Sequence, residues 1–135
     1  MSEENKVMVR SFLEKVNRQG KVPAEMCAPG FTVHVGGDPP MDLETFQQFT
    51  GMFYAAFSDW ILTVEDMVAE GDRVAFRIMS RATHTAEFMG IPATGKQVSI
   101  PNIGLGRFDG GKIAEWWVSP DRIGLFRQLG TIPSA

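Results

Sequence analysis

Val9, Phe12, Leu13 and Val16 recur at i, i+3, i+4 and i+7, the spacing that places four apolar side chains on one face of a helix. Ser2 and two glutamates stand ahead of that run as cap and first turn, and Gly20 closes it. The pattern then shortens. Pro23 at a first helical position and Pro29-Gly30 as terminator enclose a short second helix. Residues 31–35 alternate as a brief strand with His34 and Thr32 on one face. A loop rich in glycine and proline follows at 36–41. From Asp42 a third helix sets Leu43, Phe46, Phe49, Phe53 and Phe57 along a single stripe.

Beyond residue 60 the period changes to two, and the chain reads as a meander of strands. A strand over 60–69 turns at Glu70-Gly71-Asp72 into 73–84, where Val74, Phe76, Ile78 and His84 share one face and Arg73, Arg77 and Arg81 the other. Ser80 and Ala82 are small and leave room before that apolar face. A loop at 85–96 carries Gly90, Pro92 and Gly95. Residues 97–108 and 112–118 then pair as a hairpin through Asp109-Gly110-Gly111, where a tight turn needs positive φ. Gly104 and Gly106 inside a strand predict a strong bend or a cavity wall. Pro120 stops the last strand, and Asp121 caps a terminal helix that ends at Gly130. Helices first and an antiparallel sheet afterwards predict an α+β domain whose helices pack on one face of a curved sheet.

Composition narrows the function more than the fold. At 135 residues the chain forms one domain, 1–135, and 44 % apolar with 21 % charged residues excludes disorder. A net charge of −3 with both signs scattered leaves no basic stripe for nucleic acid and no polybasic anchor for a membrane. The N-terminal segment lacks an apolar signal core and no long apolar run follows, so the expected location is cytoplasmic. Cys27 is alone and shows no sign of activation. No phosphate loop, dinucleotide fingerprint or serine elbow is present, and two histidines fifty residues apart nucleate no metal site. The expectation is chemistry with no metal and no cofactor.

What remains is a set of polar groups among aromatics: His34, His84, Asn102, Asp121, Tyr54 and Asp59. Asp121 is the sharpest of them. Beside Trp116, Trp117 and Phe126 in sequence, it reads as a partly desolvated carboxylate able to take and return a proton, or simply as a helix cap, or as both. His84 and His34 read equally as satisfied structural histidines. Trp116 and Trp117 point to opposite faces, so one lines a pocket and the other covers the outer face or a subunit contact. The three arginines form a solvated outer face with Glu115 as a cross-strand partner, or an anion site.

Several motifs together carry a family resemblance over nearly the whole chain. They are AFSDW at 56–60, VEDMVAEGDRVAFR at 64–77, ATHTAEFMGIPATGK at 82–96 and FDGGKIAEWWVSPDRIGLFRQLG at 108–130. In this combination the sequence resembles the SnoaL-like polyketide cyclases, also called ester cyclases, within the nuclear transport factor 2-like superfamily. The resemblance implies a cone in which a strongly curved antiparallel sheet wraps around N-terminal helices, with an interior pocket and commonly a homodimer. It implies intramolecular aldol ring closure without metal, cofactor or Schiff base, by a lyase or isomerase whose acid/base aspartate matches Asp121 and whose Thr-His histidine matches His84. Gly104 and Gly106 stand where some relatives carry larger pocket side chains. The substrate expected is a hydrophobic, carbonyl-rich small molecule. Asn102, His34 or His84 would bond the enolate oxygen, and Tyr54, Trp60 and one of Trp116 and Trp117 would hold the rings. Two other readings use the same pocket: a protein that binds without turnover, and an epoxide hydrolase, which needs a second carboxylate and an arginine converging with Asp121.

Overall fold

The first helix buries the stripe that its sequence sets out. In the computed structural model, which describes residues 2–131, α1 (Ser2–Gln19) buries Val9, Phe12, Leu13 and Val16, each at most 4 % exposed. Each such side chain contributes about 2 kcal/mol of gross hydrophobic stabilisation. Glu3 and Glu4 occupy its first turn, where carboxylates suit the helix dipole. The cap expected at Ser2 falls outside the described side chains. Asn17 ties the other end down: its amide donates to the Leu62 carbonyl at 3.0 Å and accepts from the Leu62 N–H at 2.9 Å. That reciprocal bond sets α1 across the sheet.

Six strands follow or interleave: β1 (Cys27–Val35), β2 (Met41–Asp42), β3 (Phe57–Glu70), β4 (Arg73–His84), β5 (Gln97–Asp109) and β6 (Lys112–Pro120). Their order across the sheet is β2-β1-β6-β5-β4-β3. With α2 (Leu43–Ala56) and α3 (Arg122–Leu129) the fold is α+β, a curled, unclosed sheet around its helices. One pairing differs from the expected antiparallel sheet. β1 runs parallel to β6, with Val33 opposite Trp116 and His34 opposite Trp117, so the sheet is mixed. The other pairings are antiparallel.

Two further element boundaries move. The expected second helix shrinks to a three-residue 3-10 turn at Ala24–Met26, because the chain enters β1 already at Cys27 and passes Pro29-Gly30 as an irregularity, with Gly30 at φ 78°. α2 ends at Ala56, so Phe57 leaves the helical stripe and starts β3. Asp42, from which the third helix is expected to run, caps α2, its Oδ1 accepting from the Thr45 N–H at 2.8 Å, a bond that holds its carboxyl below the usual range. Cys27 is buried, and burial pushes its thiol up to about 11.

Alternation along β4 divides the sheet into an inner and an outer face. Val74, Phe76, Ile78, Ser80, Ala82 and His84 are buried, while Arg73, Arg77 and Arg81 are exposed. The outer arginines do not gather on Glu115. Arg77 pairs with Asp66 at 2.6 Å, and Glu115 takes Arg107 at 3.3 Å and His34 at 2.7 Å. Inside, the buried residues form two clusters. One joins α1, β1 and the inner faces of β4 and β6; the other joins the end of α2, the start of β5 and α3. Between them lies a cavity.

Gly104 and Gly106 do not line that cavity. They sit under rings: Phe76 and Trp116 stack at 4.6 Å between centroids, and Phe12 meets Trp116 at 5.0 Å. A Cβ on Gly106 would come within 2.9 Å of Trp116 Cζ3, and one on Gly104 would collide with the Phe76 ring and the Trp117 carbonyl oxygen. Two missing side chains let two aromatic rings lie flat against the sheet.

Candidate active site

The cavity, of about 150 Å³, is walled by all three helices and by the inner faces of β3 to β6. Phe12, Leu13 and Val16 from α1 and Phe46, Phe49 and Phe53 from α2 make its apolar end. Ile78, Ile100, Trp116 and Val118 form the sheet side. Polar groups on its wall are few: Tyr54, Ser80, Asn102, Asp121 and Arg122, with Thr50 on α2. That composition suits a hydrophobic guest held in one orientation by a few polar groups.

Five of the residues singled out in the sequence meet here: Asp121, Asn102, Tyr54, Trp60 and Trp116. Asn102 accepts the Ser119 N–H on Oδ1 at 3.0 Å, which leaves its amide donor without a protein partner among the described residues. Tyr54 packs edge-on to Trp60 with centroids 6.2 Å apart. Burial pushes its phenol up to about 12, so it remains a hydrogen-bond donor across the physiological range. It is the chain's one tyrosine, so an ultraviolet titration reads it alone. The expected midpoint is near 12 in the folded chain and near 10 in denaturant, with stability falling as pH rises through that interval because the unfolded state loses its proton first. A folded midpoint at 10 would place the ring in solvent.

Asp121 stands at the mouth, between the end of β6 and the start of α3. Its Oδ1 accepts the Gly124 N–H at 2.8 Å, the N-cap bond expected of it. Gly124 has a second part in this. A Cβ there would overlap the Asp121 carboxyl group, so a glycine inside a helix, unfavourable by about 1 kcal/mol against alanine, leaves the carboxylate its place. The expected desolvation by neighbouring rings is corrected: Asp121 is exposed, because Trp117 lies on the outer face and Phe126 packs toward Phe88.

Four other residues do not reach the cavity. His84 is 0 % exposed and faces inward, as its parity implies, but at the end of β4 inward means the second cluster, where it stacks on Phe57 at 5.0 Å. Its Nδ1 accepts from the Thr94 N–H at 3.2 Å and meets Thr94 Oγ1 at 2.9 Å, so the ring proton lies on Nε2, which is buried without a partner. With backbone bonds from His84 N–H to Lys96 and from Gly95 N–H to the His84 carbonyl, this residue pins the 85–96 loop. His34 and Trp117 lie on the outer face, stacked 11° from parallel at 5.2 Å. The His34 hydrogen bond, aided by Arg107, holds Glu115 below the usual carboxylate range. Asp59 is exposed at a bulge of β3 with φ 57°, beside Arg81 and Thr83 and outside the cavity.

Arg122 went unremarked in the sequence because the first residue of a short terminal helix carries no pattern of its own. It lines the mouth beside Asp121 and bonds Asp38 through Nη2 at 2.7 Å. Among the described residues no group of three His, Cys, Asp or Glu side chains is placed to hold a metal ion, and no helix is long and apolar enough to cross a membrane.

The comparisons with known proteins agree with this architecture. A family model described as SnoaL-like polyketide cyclase matches residues 6–129. A Streptomyces galilaeus protein proposed to be a hydroxylase superposes with a TM-score of 0.90 at 30 % identity, over 98 % of this chain and 100 % of its own. A Streptomyces antibioticus protein proposed to be a polyketide cyclase gives 0.82 at 31 % identity, over 93 % and 97 %. A SnoaL-like protein from Jannaschia, at 20 % identity and a TM-score of 0.82 over 98 % and 95 %, shows the shared fold. No curated protein matches the chain.

Proposed function

The chain belongs to the SnoaL-like polyketide cyclase family, and from that premise we propose that it closes a ring in a hydrophobic, carbonyl-rich small molecule by an intramolecular aldol step. The observation that carries this reading is the cavity wall: among the described residues, Asp121 is the one carboxylate on a surface otherwise apolar, neutral or, at Arg122, cationic. Carboxylates are weak bases, so the carbon that loses its proton lies between two carbonyl groups that make it acidic. Asp121 takes that proton. The enolate carbon then attacks a second carbonyl of the same molecule, a C–C bond forms, and Asp121 returns the proton to the new alkoxide.

Asn102 and Tyr54 supply donors to the enolate oxygen, and Trp60 and Trp116 flank the ring system. Electron-withdrawing carbonyls on the substrate do the work that a metal would otherwise do, so the reaction as proposed uses no cofactor. The test is hydrogen–deuterium exchange at the activated carbon of a candidate substrate, followed by NMR in heavy water. Exchange and ring closure that depend on Asp121 support the proposal, whereas binding with neither identifies a protein that only holds its ligand.

The hydroxylase proposed for the Streptomyces galilaeus relative raises oxygen insertion or epoxide opening as rival chemistry. Epoxide hydrolysis asks for a second carboxylate on the same wall, and Asp38 meets Arg122 from outside the lining. That favours ring closure.

A homodimer is part of the same proposal. The outer sheet face presents Ile61 and Val68 on β3 at 47 % and 69 % exposure and Ile103 on β5 at 60 %, on the same face as Trp117. Light scattering on the intact chain is expected to give twice the 14.9 kDa chain mass, and Ile103→Glu to give the monomer. A wild-type monomer rejects this part alone.

A further inference from the structure

Resting on Asp121's cavity being the substrate site, we infer that the substrate carries a free carboxylate at its outward end and that Arg122 is the residue that reads it. Arg122 and Asp121 are the only charged side chains on the wall among the described residues, and they are neighbours in sequence at the mouth. A guest whose apolar body fills the phenylalanine end therefore leaves its polar terminus beside a guanidinium.

The guanidinium is underused. Among the described residues it makes a single protein hydrogen bond, from Nη2 to Asp38 Oδ2 at 2.7 Å, between side chains 43 % and 44 % exposed. Exposed pairs of this kind contribute little, and four of the five N–H donors of Arg122 have no protein partner among the described residues. A bound carboxylate accepts two parallel bonds from the same fork, a geometry that the single bond to Asp38 leaves unused.

The position of Arg122 is also unfavourable for the helix. It opens α3, where the exposed N–H groups favour anions over cations, and no acidic residue occupies that first turn. A local rule broken at a cavity mouth marks a residue kept for something other than the fold. Asp38 fits the part of a resting partner. It sits in the turn after β1, which is fastened by Gly36 N–H to the Val118 carbonyl at 2.9 Å and by Asp38 N–H to the Val35 carbonyl at 3.0 Å. From there it holds Arg122 through Nη2 until an acid displaces it.

The experiment is an NMR titration of the isotope-labelled intact chain with 2-naphthoate, a bicyclic aromatic acid, and with 2-naphthamide, its uncharged counterpart. Wild type is expected to bind the acid more tightly than the amide, with shifts at Asn102 and Trp116. Arg122→Gln is expected to weaken the acid about tenfold, the worth of a charge-assisted pair, and to leave the amide unchanged. Asp38→Asn is expected to tighten the acid by freeing the guanidinium. Equal affinities in wild type, no binding of the acid, or an Arg122→Gln loss shared by both probes would overturn the assignment. Asp121→Asn separates this from the reaction: an acid preference that survives there while turnover does not depend on Asp121 rejects the proposed chemistry and keeps the subsite.

Discussion

Asp121→Asn is expected to lower kcat by about 10²–10⁴, the range of one positioned acid/base group, while leaving the folded chain as stable as wild type. The separation follows from the two jobs of this side chain. Its Oδ1 accepts the Gly124 N–H, and asparagine caps a helix about as well as aspartate does. The second oxygen takes no hydrogen bond from a described residue, and an amide nitrogen in its place cannot take a proton from carbon. Asp121→Ala removes both functions and is expected to cost about 1 kcal/mol of stability besides the activity. The measurements are turnover of an authentic substrate and thermal unfolding of each variant. Full turnover by Asp121→Asn would falsify the assignment of the base, and a large stability loss in that variant would show that the cap, not the chemistry, had been disturbed.

The exposure of Asp121 bears on what the substrate has to be. Carboxylates as a class are weak bases, so the acidity must reside in the guest, which also covers the exposed carboxyl group when it binds. Asn102 fits this division of labour. Its carbonyl is committed to the Ser119 N–H, which leaves its amide donor, on the cavity wall, free for the enolate oxygen of the proposed reaction. Ser80, buried on the neighbouring strand, is the small residue that keeps the space before them open.

What could be read from the sequence was local, and what could not was a matter of distant pairing. The stripe of α1, the parity of β4 and the caps at Asp42 and Asp121 are each set by residues within a few positions of one another. The parallel pairing of β1 with β6 joins His34 to Trp117 across more than eighty positions, and nothing near either residue announces it. A local irregularity in the last hairpin hid which tryptophan faces inward. A register shift at Arg107 and Phe108 resets the alternation, placing Trp116 inside and Trp117 outside. For His84 the parity was readable but its meaning was not: the curl of the sheet carries the end of β4 past the cavity to the second cluster. The aromatic neighbours of Asp121 misled for a related reason, since adjacency in sequence at a strand-to-helix corner sends successive side chains to opposite faces.

The packing beneath that inner face carries the largest expected effect on stability. Gly104→Ala is expected to destabilise the fold by about 3 kcal/mol, at the upper end of overpacking costs, and to lower Tm by about 10 °C. The new methyl meets two obstacles at once. One is the Phe76 ring, already stacked on Trp116, and the other is the Trp117 carbonyl oxygen, which belongs to the neighbouring strand and cannot yield without parting β5 from β6. Because Trp116 lines the cavity, any accommodation that shifts the stacked pair also changes the wall on which the substrate rests. Gly51→Ala is the matched control. Gly51 lies within α2, no atom stands within 4 Å of the position its Cβ would take, and the substitution is expected to stabilise the chain by about 0.5–1 kcal/mol. Calorimetry on the two variants therefore reads opposite signs from the same chemical change. A Gly104→Ala variant as stable as wild type would mean that the rings do not lie against β5.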